Sequence, residues 1–390
     1  MFVHHDIPLP AYPLCMSHGT INCYGEAGNY IAVGTFHPGI EIWNLDVLDA
    51  LEPTCVLGGE DTRAADAEWA NRISSGGTYK RKKNRKSGGL RIGSHEAEVM
   101  SVSWNQIHRQ VIASGSADQT VKLWDVTKAN DASGGLAATF SHHTNKVQSL
   151  AWHPTEGTIL ATGSYDQTVS IVDARSSSGN TNCKKVRIPA DCESVAWDPH
   201  QTHLLTAASE DGSISCWDVR KFESGMPYWS FVANEFGVSD ISYNPSVPGM
   251  MLSCSVDKTV TLWDTLNVSN NPGELPFNCG SKDMNVGKLY SCSFYPSSPW
   301  ILSCGGMGNQ LALWDLSSEA IFQKRFGSRV LTNQRGMEQQ ASEPKSDSTK
   351  EKDFEAMMAA GDKKAEEVRN KTSSSKKKKK GKSKKKAHKK

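Results

Sequence analysis

A three-residue motif that recurs at the end of successive sequence units constrains the fold of this chain more than any other sequence feature. A second aromatic residue stands 20 positions before the middle residue of each ending, and the endings are spaced 48, 45, 46 and 51 residues apart. Such a period is typical of repeat architectures. The five endings are Leu123-Trp124-Asp125, Ile171-Val172-Asp173, Cys216-Trp217-Asp218, Leu262-Trp263-Asp264 and Leu313-Trp314-Asp315, and the preceding aromatic residues are Trp104, Trp152, Trp197, Tyr243 and Phe294.

Each unit contains short segments in which apolar and polar residues alternate, separated by turns that carry an aspartate. Alternation of period two predicts half-buried strands, and aspartate suits a tight turn because it accepts backbone N–H groups. Short strands in units of this length predict an all-β fold of four-stranded propeller blades. A sixth ending, Ile42-Trp43-Asn44, extends the repeats over roughly residues 14–327. No segment before residue 345 predicts a helix.

The number of blades stays open between six and seven. Residues 2–9 alternate like an outer strand whose inner partners would precede Met1, so we expect the N-terminal blade to be incomplete. A ring of six blades that closes on itself is the alternative.

These units resemble the WD-repeat family, whose blades contain a hydrogen-bonded set of His, Ser, Asp and Trp side chains. In such a set the aspartate holds the imidazole, the imidazole reaches a buried hydroxyl, and the hydroxyl meets the indole N–H, so each polar group finds a partner. The resemblance assigns one set to His95, Ser101, Asp118 and Trp124, and an incomplete set to His143, Ser149 and Asp166, where Val172 replaces the tryptophan. Later units depart from it, with Ile188, Asn234 and Asn285 at the histidine position and Gly308 at the aspartate position.

The same residues superficially match a Ser–His–Asp catalytic triad, but they recur with the period of the repeat, which favours a structural role. Gly305-Gly306-Met307-Gly308 lacks the Lys-Ser/Thr ending of a phosphate loop. Adjacent histidines such as His142 and His143 should point to opposite faces of a strand. The ten cysteines form no CxxC pair, which favours free thiols. The sequence therefore predicts a non-enzymatic protein with no cofactor, no metal and no small-molecule substrate.

Charge divides the chain into an acidic body and a basic tail. Residues 328–390 hold 20 Lys and Arg against 9 Asp and Glu, whereas residues 1–327 hold 24 against 33. We therefore expect a propeller over residues 1–327, with a basic loop insertion at 58–92, and a lysine-rich tail over 328–390 with a helix at 349–370. No run of apolar residues is long enough to cross a membrane, and the N-terminus lacks the pattern of a secretion signal.

Two basic segments are candidates for contact with nucleic acid or for nuclear addressing. Lysine runs bind phosphate backbones without sequence preference, through release of counterions. Their residues are Lys80, Arg81, Lys82, Lys83, Arg85 and Lys86 in the insertion, and Lys376, Lys377, Lys378, Lys379, Lys380, Lys382, Lys384, Lys385 and Lys386 in the tail.

Several longer stretches are similar to the periodic tryptophan protein family of ribosome assembly. They include residues 46–53 directly after Trp43, then 102–105, 143–148 and 163–166, and the final stretch 326–329. The resemblance implies a nuclear and nucleolar scaffold in large-subunit ribosomal RNA processing, with assembly proteins and pre-ribosomal RNA as partners. The alternatives are a chromatin- or histone-binding propeller linked to ribosomal RNA gene transcription and, less supported by motifs, a ubiquitin-ligase substrate receptor or a hydrolase.

Overall fold

The strands of this chain form six antiparallel sheets that follow one another along the sequence. The structure is a computed structural model and describes residues 6–60, 89–131, 133–175, 183–270, 274–308 and 310–331. Each sheet is one blade of a six-blade β-propeller, numbered here in chain order.

The first three blades have four strands each, and in each blade sequence neighbours pair edge to edge. Their bounds are β1 (Pro13–Ile21), β2 (Ala27–Thr35), β3 (Gly39–Asn44) and β4 (Cys55–Gly58); β5 (Val99–Trp104), β6 (Val111–Ser116), β7 (Val121–Asp125) and β8 (Leu136–Phe140); and β9 (Val147–Trp152), β10 (Ile159–Ser164), β11 (Thr168–Asp173) and β12 (Cys183–Arg187).

The fourth and fifth blades also have four strands, whereas the sixth has three among the described residues. Their bounds are β13 (Cys192–Trp197), β14 (Leu204–Ser209), β15 (Ser213–Asp218) and β16 (Trp229–Val232); β17 (Val238–Tyr243), β18 (Met250–Ser255), β19 (Thr259–Asp264) and β20 (Phe277–Asp283); and β21 (Leu289–Phe294), β22 (Ile301–Gly306) and β23 (Ala312–Asp315).

The core lies between neighbouring blades. The first strand of each blade packs against the first strand of the next, from β1 through β5, β9, β13 and β17 to β21. The middle strands β6, β14 and β18 are buried along their whole length because both of their faces are covered. Each large apolar side chain buried in this way stabilises the fold by about 1.5–3 kcal/mol.

The described helices are short and lie at blade ends. They are α1 (Leu266–Asn270) and α2 (Ala320–Phe326), with 3₁₀ turns at Val126–Lys128, Val219–Ser224, Leu316–Ser318 and Gly327–Arg329. The side chains of Phe322 and Phe326 in α2 are buried against the core shared by the fifth and sixth blades. No helix among the described residues is long and apolar enough to cross a membrane.

The structure corrects two expectations, one about the N-terminal blade and one about helices. The first blade has all four strands, and the blade with three is the sixth. Residues 2–5 of the predicted outer strand 2–9 lie outside the described residues, and residues 6–9 form no strand. The expectation of no helix before residue 345 is wrong, because packing onto the core, rather than a long amphipathic pattern, holds α1 and α2.

Candidate functional site

The second blade contains a chain of four hydrogen-bonded side chains. The Nδ1 atom of His95 donates to Oδ2 of Asp118 at 2.8 Å, because an ionised carboxylate can only accept. The hydroxyl of Ser114 then donates to Nε2 of His95 at 2.7 Å and accepts from the indole Nε1 of Trp124 at 2.7 Å. Every buried polar atom in this set of four side chains therefore has a partner.

Burial and hydrogen bonding fix the charges of this set. Burial lowers the pKa of His95, and the nearby Asp118 offsets this only in part, so the imidazole is neutral. Burial acts to raise the pKa of Asp118, but hydrogen bonds from His95, Thr120 and the Glu96 backbone hold it well below its usual range. Because His95 and Ser114 are both 0% exposed, the hydroxyl has no open side for a substrate.

The hydroxyl of this set is Ser114, and the expectation of Ser101 is wrong. Ser101 lies on the first strand of its blade, where its Oγ accepts from the backbone N–H of Leu150 in the third blade at 3.1 Å. In the third blade the expectation of Ser149 fails for the same reason, because Ser149 accepts from the Val195 N–H at 3.0 Å. The hydroxyl that reaches the imidazole lies on the middle strand, ten residues before the blade-ending tryptophan or valine, and this offset was the signal that the sequence contained.

In the third blade two histidines share one hydroxyl. Nδ1 of His143 lies 2.9 Å from Oδ2 of Asp166, and its Nε2 lies 2.7 Å from Oγ1 of Thr162. Nε2 of His142 lies 3.1 Å from the same Oγ1. The two rings are therefore neighbours rather than on opposite faces, because they follow β8 in a loop where strand alternation does not apply.

The fourth and fifth blades show what happens when members of the set are replaced. In the fifth blade Asn234 takes the histidine position and donates to Oδ2 of Asp257 at 2.7 Å, while Trp263 donates to Ser253 at 2.8 Å. In the fourth blade Ala207 stands ten residues before Trp217. The buried indole Nε1 of Trp217 accordingly has no hydrogen-bond partner among the described residues.

The aspartates of the repeat endings have two different roles. Asp125, Asp218 and Asp315 each accept from the backbone N–H two residues later and so cap the following turn. Asp264 is 0% exposed and also binds two arginines from the C-terminal end of the described chain. Its Oδ2 accepts from Arg325 Nε at 2.7 Å, and its two oxygens accept from Arg329 Nη1 and Nη2 at 2.7 and 3.0 Å.

A partly exposed polar cluster between the third and fourth blades was not predicted from the sequence. The Tyr165 hydroxyl donates to Oε1 of Glu193, and the Lys146 ammonium lies 3.4 Å from the centre of the Tyr165 ring. Burial raises the pKa of Glu193, and the carboxylates of Glu210 and Asp191 add to this effect. The carboxyl groups of Glu193, Glu210 and Asp191 therefore form an acidic cluster at the border between the third and fourth blades.

The predicted basic residues lie outside the described part of the chain, but the ends of the insertion do not. Lys80 to Lys86, the lysines from 376 to 386 and the predicted helix 349–370 all fall outside the described residues. Glu60 forms a β-bridge with Leu90, and Nη1 of Arg91 donates to the carbonyls of Val56 and Ala129 at 3.0 and 3.3 Å. Both ends of the insertion are thereby fixed beside the first two blades.

All ten cysteines are free, and burial raises the pKa of thiols such as Cys216 to about 12. In the part of the chain that the structure describes, no group of three or more His, Cys, Asp or Glu side chains is placed to hold a metal ion.

Comparison with known proteins matches the family described as WD domain, G-beta repeat, at residues 90–125, 134–173, 184–218, 225–264 and 280–315. The fold is similar to a chain in a crystal structure of the mitotic checkpoint complex, with a TM-score of 0.53 at 21% identity, over 73% of this chain and 71% of that one.

Three curated relatives are similar over most of this chain. An uncharacterized WD repeat-containing protein of Schizosaccharomyces pombe is 35% identical over 85% of this chain and 59% of its own length. Periodic tryptophan protein 1 of Saccharomyces cerevisiae is 34% identical over 85% of this chain and 56% of its own length. The periodic tryptophan protein 1 homolog of Drosophila melanogaster is 29% identical over 84% and 64%. This chain thus spans less than two thirds of the length of these relatives. From its repeats, its blades and these matches, the chain belongs to the WD-repeat family.

Proposed function

We propose that this protein is a non-enzymatic scaffold in nucleolar ribosome biogenesis, which supports processing of large-subunit pre-ribosomal RNA and assembly of the pre-ribosome. Its partners are assembly proteins and pre-ribosomal RNA, and it works in the nucleus and nucleolus. The similarity to periodic tryptophan protein 1 supports the process, and the propeller fold supports the scaffold role.

The observation that carries the proposal is the separation of charge along the chain. The tail from 376 to 390 contains eleven lysines within fifteen residues. Exposed ion pairs between this tail and the acidic body contribute only ~0–1 kcal/mol each and are screened by salt. An RNA backbone is a denser line of negative charge, and release of its counterions adds to the affinity. The tail therefore favours RNA over its own propeller.

The buried polar sets support a binding role rather than a chemical one. In the second blade the Ser114 hydroxyl, 2.7 Å from Nε2 of His95, is closed between His95 and Trp124. The Thr120 hydroxyl lies 3.3 Å from Nδ1 of His95 and donates to Asp118. A nucleophile needs an open side from which a substrate can approach within about 3 Å. These residues are therefore assigned to blade stability.

Truncation after Asn370 tests the RNA contact. We expect the propeller to stay folded, generic RNA to bind more weakly, and the slope of log affinity against log salt to become shallower by several units. Each lost phosphate contact changes that slope by ~0.7–0.9. Replacing the lysines from 376 to 390 with arginine is the matched control, because it keeps the charge and should keep the slope.

Sedimentation of the tagged full-length chain then separates the scaffold from the chromatin alternative. Comigration with pre-large-subunit particles supports the proposal. Comigration with nucleosomes, or a salt slope that is unchanged by the truncation, contradicts it.

A further inference from the structure

Two buried polar atoms in the third blade have no hydrogen-bond partner among the described residues. They are Nδ1 of His142 and Oγ of Ser170. His142 is 7% exposed and Ser170 is 0% exposed, so bulk water does not reach these atoms. Leaving a buried polar atom unpaired costs free energy, and in folded proteins such atoms are usually paired with protein groups or with ordered water.

Both side chains lie on one face of the third blade. Thr162 on β10 lies opposite Ser170 on β11, and Ser170 lies opposite Lys185 on β12. Side chains of directly opposed residues share a face of the sheet, with Cβ atoms about 4.5–5.5 Å apart. Nε2 of His142 lies 3.1 Å from Oγ1 of Thr162, and the Lys185 ammonium donates to the carbonyl of His142. The His142 ring therefore lies on the same face as the Ser170 hydroxyl.

The hydroxyl of Thr162 determines which nitrogen of His142 carries the proton. In its neutral form His143 donates from Nδ1 to the Asp166 carboxylate, which can only accept, and its Nε2 is then an acceptor. The single hydroxyl proton of Thr162 goes to that Nε2, at 2.7 Å. His142 therefore donates to Thr162 from its own Nε2. Its buried Nδ1 is left as an acceptor that needs a donor.

The position of Ser170 has a side-chain partner in three other blades. There the residue two positions before the blade-ending tryptophan bonds a side chain of the outer strand. In the third blade the outer-strand residue is Lys185, which bonds the His142 carbonyl instead. The Ser170 hydroxyl therefore lacks the partner that its counterparts have. The pairs in the other blades are Lys122 with Thr139 at 3.4 Å, Ser215 with Ser230 at 2.7 Å and Thr261 with Ser281 at 3.0 Å.

The third blade has a smaller side chain on this face than the second. Val172, two residues after Ser170, stands where the second blade has Trp124, whose indole donates to the middle-strand hydroxyl at 2.7 Å. Val172 packs in the apolar core between the second and third blades. The difference in size between an indole and an isopropyl group exceeds the ~30 Å³ that one water molecule occupies in the liquid.

We propose that the third blade binds one internal water molecule between Nδ1 of His142 and Oγ of Ser170. The water donates a proton to Nδ1 and accepts the hydroxyl proton of Ser170, so both buried atoms gain a partner. A metal cation is disfavoured at this nitrogen, because the Lys185 ammonium lies against the same histidine.

The bound water gives the third blade a substitute for the missing indole. It holds the His142 ring beside that of His143, at 4.3 Å between ring centres, and so fixes the loop that carries the bond from His143 to Asp166. The inference concerns how this blade is completed and is independent of the proposed RNA contact.

Magnetic relaxation dispersion of water measures how many long-lived internal water molecules a protein holds. We expect the full chain to lose one such molecule in Ser170→Ala, because the water then has no fixed partner opposite Nδ1 of His142. Ser215→Ala is the matched control, since the same position in the fourth blade bonds Ser230 and should leave the number unchanged. An unchanged number in Ser170→Ala overturns the proposal.

A pair of substitutions gives a second test that does not depend on the stability of Ser170→Ala. His142→Ser with Val172→Trp rebuilds the arrangement of the second blade, where Ser94 precedes the histidine and an indole donates to the middle-strand hydroxyl. The added indole should displace the water, so the folded double variant should also hold one internal water molecule fewer. Retention of that molecule in the folded double variant contradicts the site.

The tautomer of His142 provides a third readout, in the unmodified chain. Nitrogen NMR at neutral pH should show the proton of His142 on Nε2, with Nδ1 accepting a hydrogen bond. The Nδ1 resonance should shift in Ser170→Ala and stay in place in Ser215→Ala. A proton on Nδ1 of His142 in the unmodified chain overturns the proposal, because the water could then not donate to it.

Discussion

The second and sixth blades derive from the same repeat, yet they are stabilised in different ways. In the second blade both sheet faces are covered and the chain from Asp118 to Trp124 satisfies every buried polar atom on it. In the sixth blade Gly308 replaces the aspartate, and Trp314 Nε1 donates instead to Glu319 Oε1 at 2.8 Å. The ring of Phe322 in α2 then packs edge-on against Trp314, with ring centres 5.6 Å apart.

This difference shows that a repeat can lose its internal polar set when another element replaces it. The second blade relies on side chains within its own sheet. The sixth relies on α2 and the 3₁₀ turn after it, which the buried carboxylate of Asp264 ties to the fifth blade through Arg325 in α2 and Arg329 in the turn. Replacing single members of the polar sets in the second, third and fourth blades, or the Asp264 anchor of the sixth, tests this comparison.

The largest effect is expected from Asp264→Ala. It removes a fully buried carboxylate that faces two guanidinium groups, and breaking such a buried pair costs about 3–5 kcal/mol. Denaturant unfolding measures the loss, with Asp315→Ala as control, because that exposed aspartate only caps a turn. A loss below about 1 kcal/mol would show that α2 does not depend on this anchor.

Ser114→Ala should cost about 2–4 kcal/mol, because the buried Nε2 of His95 and Nε1 of Trp124 both lose their partner. Ser101→Ala is the matched comparison and removes one bond between blades, worth about 1 kcal/mol. Equal losses for the two variants would contradict the assignment of the set to Ser114.

Acid should destabilise the third blade through His142. The pKa of His142 is lowered from 6.5 to about 3. Burial is the largest cause, and the nearby His143 and Lys185 also lower it. Because the folded pKa lies below the unfolded one, the unfolded chain binds the proton first, and stability is lost as pH falls from about 6.5 to about 3.

His142→Gln should therefore flatten the fall in melting temperature over that pH range. The exposed His37→Gln should leave the profile unchanged. A profile that is equally steep in both variants would show that other groups control the acid transition.

The smallest effect is expected from Ala207→Ser in the fourth blade. It places a hydroxyl ten residues before Trp217, where the second, third and fifth blades have one, and gives the unpartnered indole an acceptor. A gain of about 0.5–1.5 kcal/mol is expected. A loss of stability would mean that the site is too tightly packed for the added oxygen.

The fold was predictable because the same sequence pattern recurs from one repeat to the next. Alternation and the 20-residue offset predicted the blades, and the resemblance to the WD-repeat family predicted the bond between Asp118 and His95. The serine was misassigned because Ser101 and Ser114 both lie on strands of one blade. Which of the two hydroxyls reaches the imidazole depends on the side of the sheet to which each side chain points. The anchor at Asp264 was not predictable, since it joins groups 61 and 65 residues apart through packing of a helix.

The most direct test of the account compares Asp118→Ala with truncation after Asn370 in two assays. The account assigns stability to the polar set of the second blade and RNA contact to the tail. Asp118→Ala should lower the free energy of unfolding by about 1–3 kcal/mol and leave the salt slope of RNA binding unchanged. The truncation should leave unfolding unchanged and make that slope shallower. The reverse pattern, in which folded Asp118→Ala loses RNA binding at full stability, would contradict the central claim.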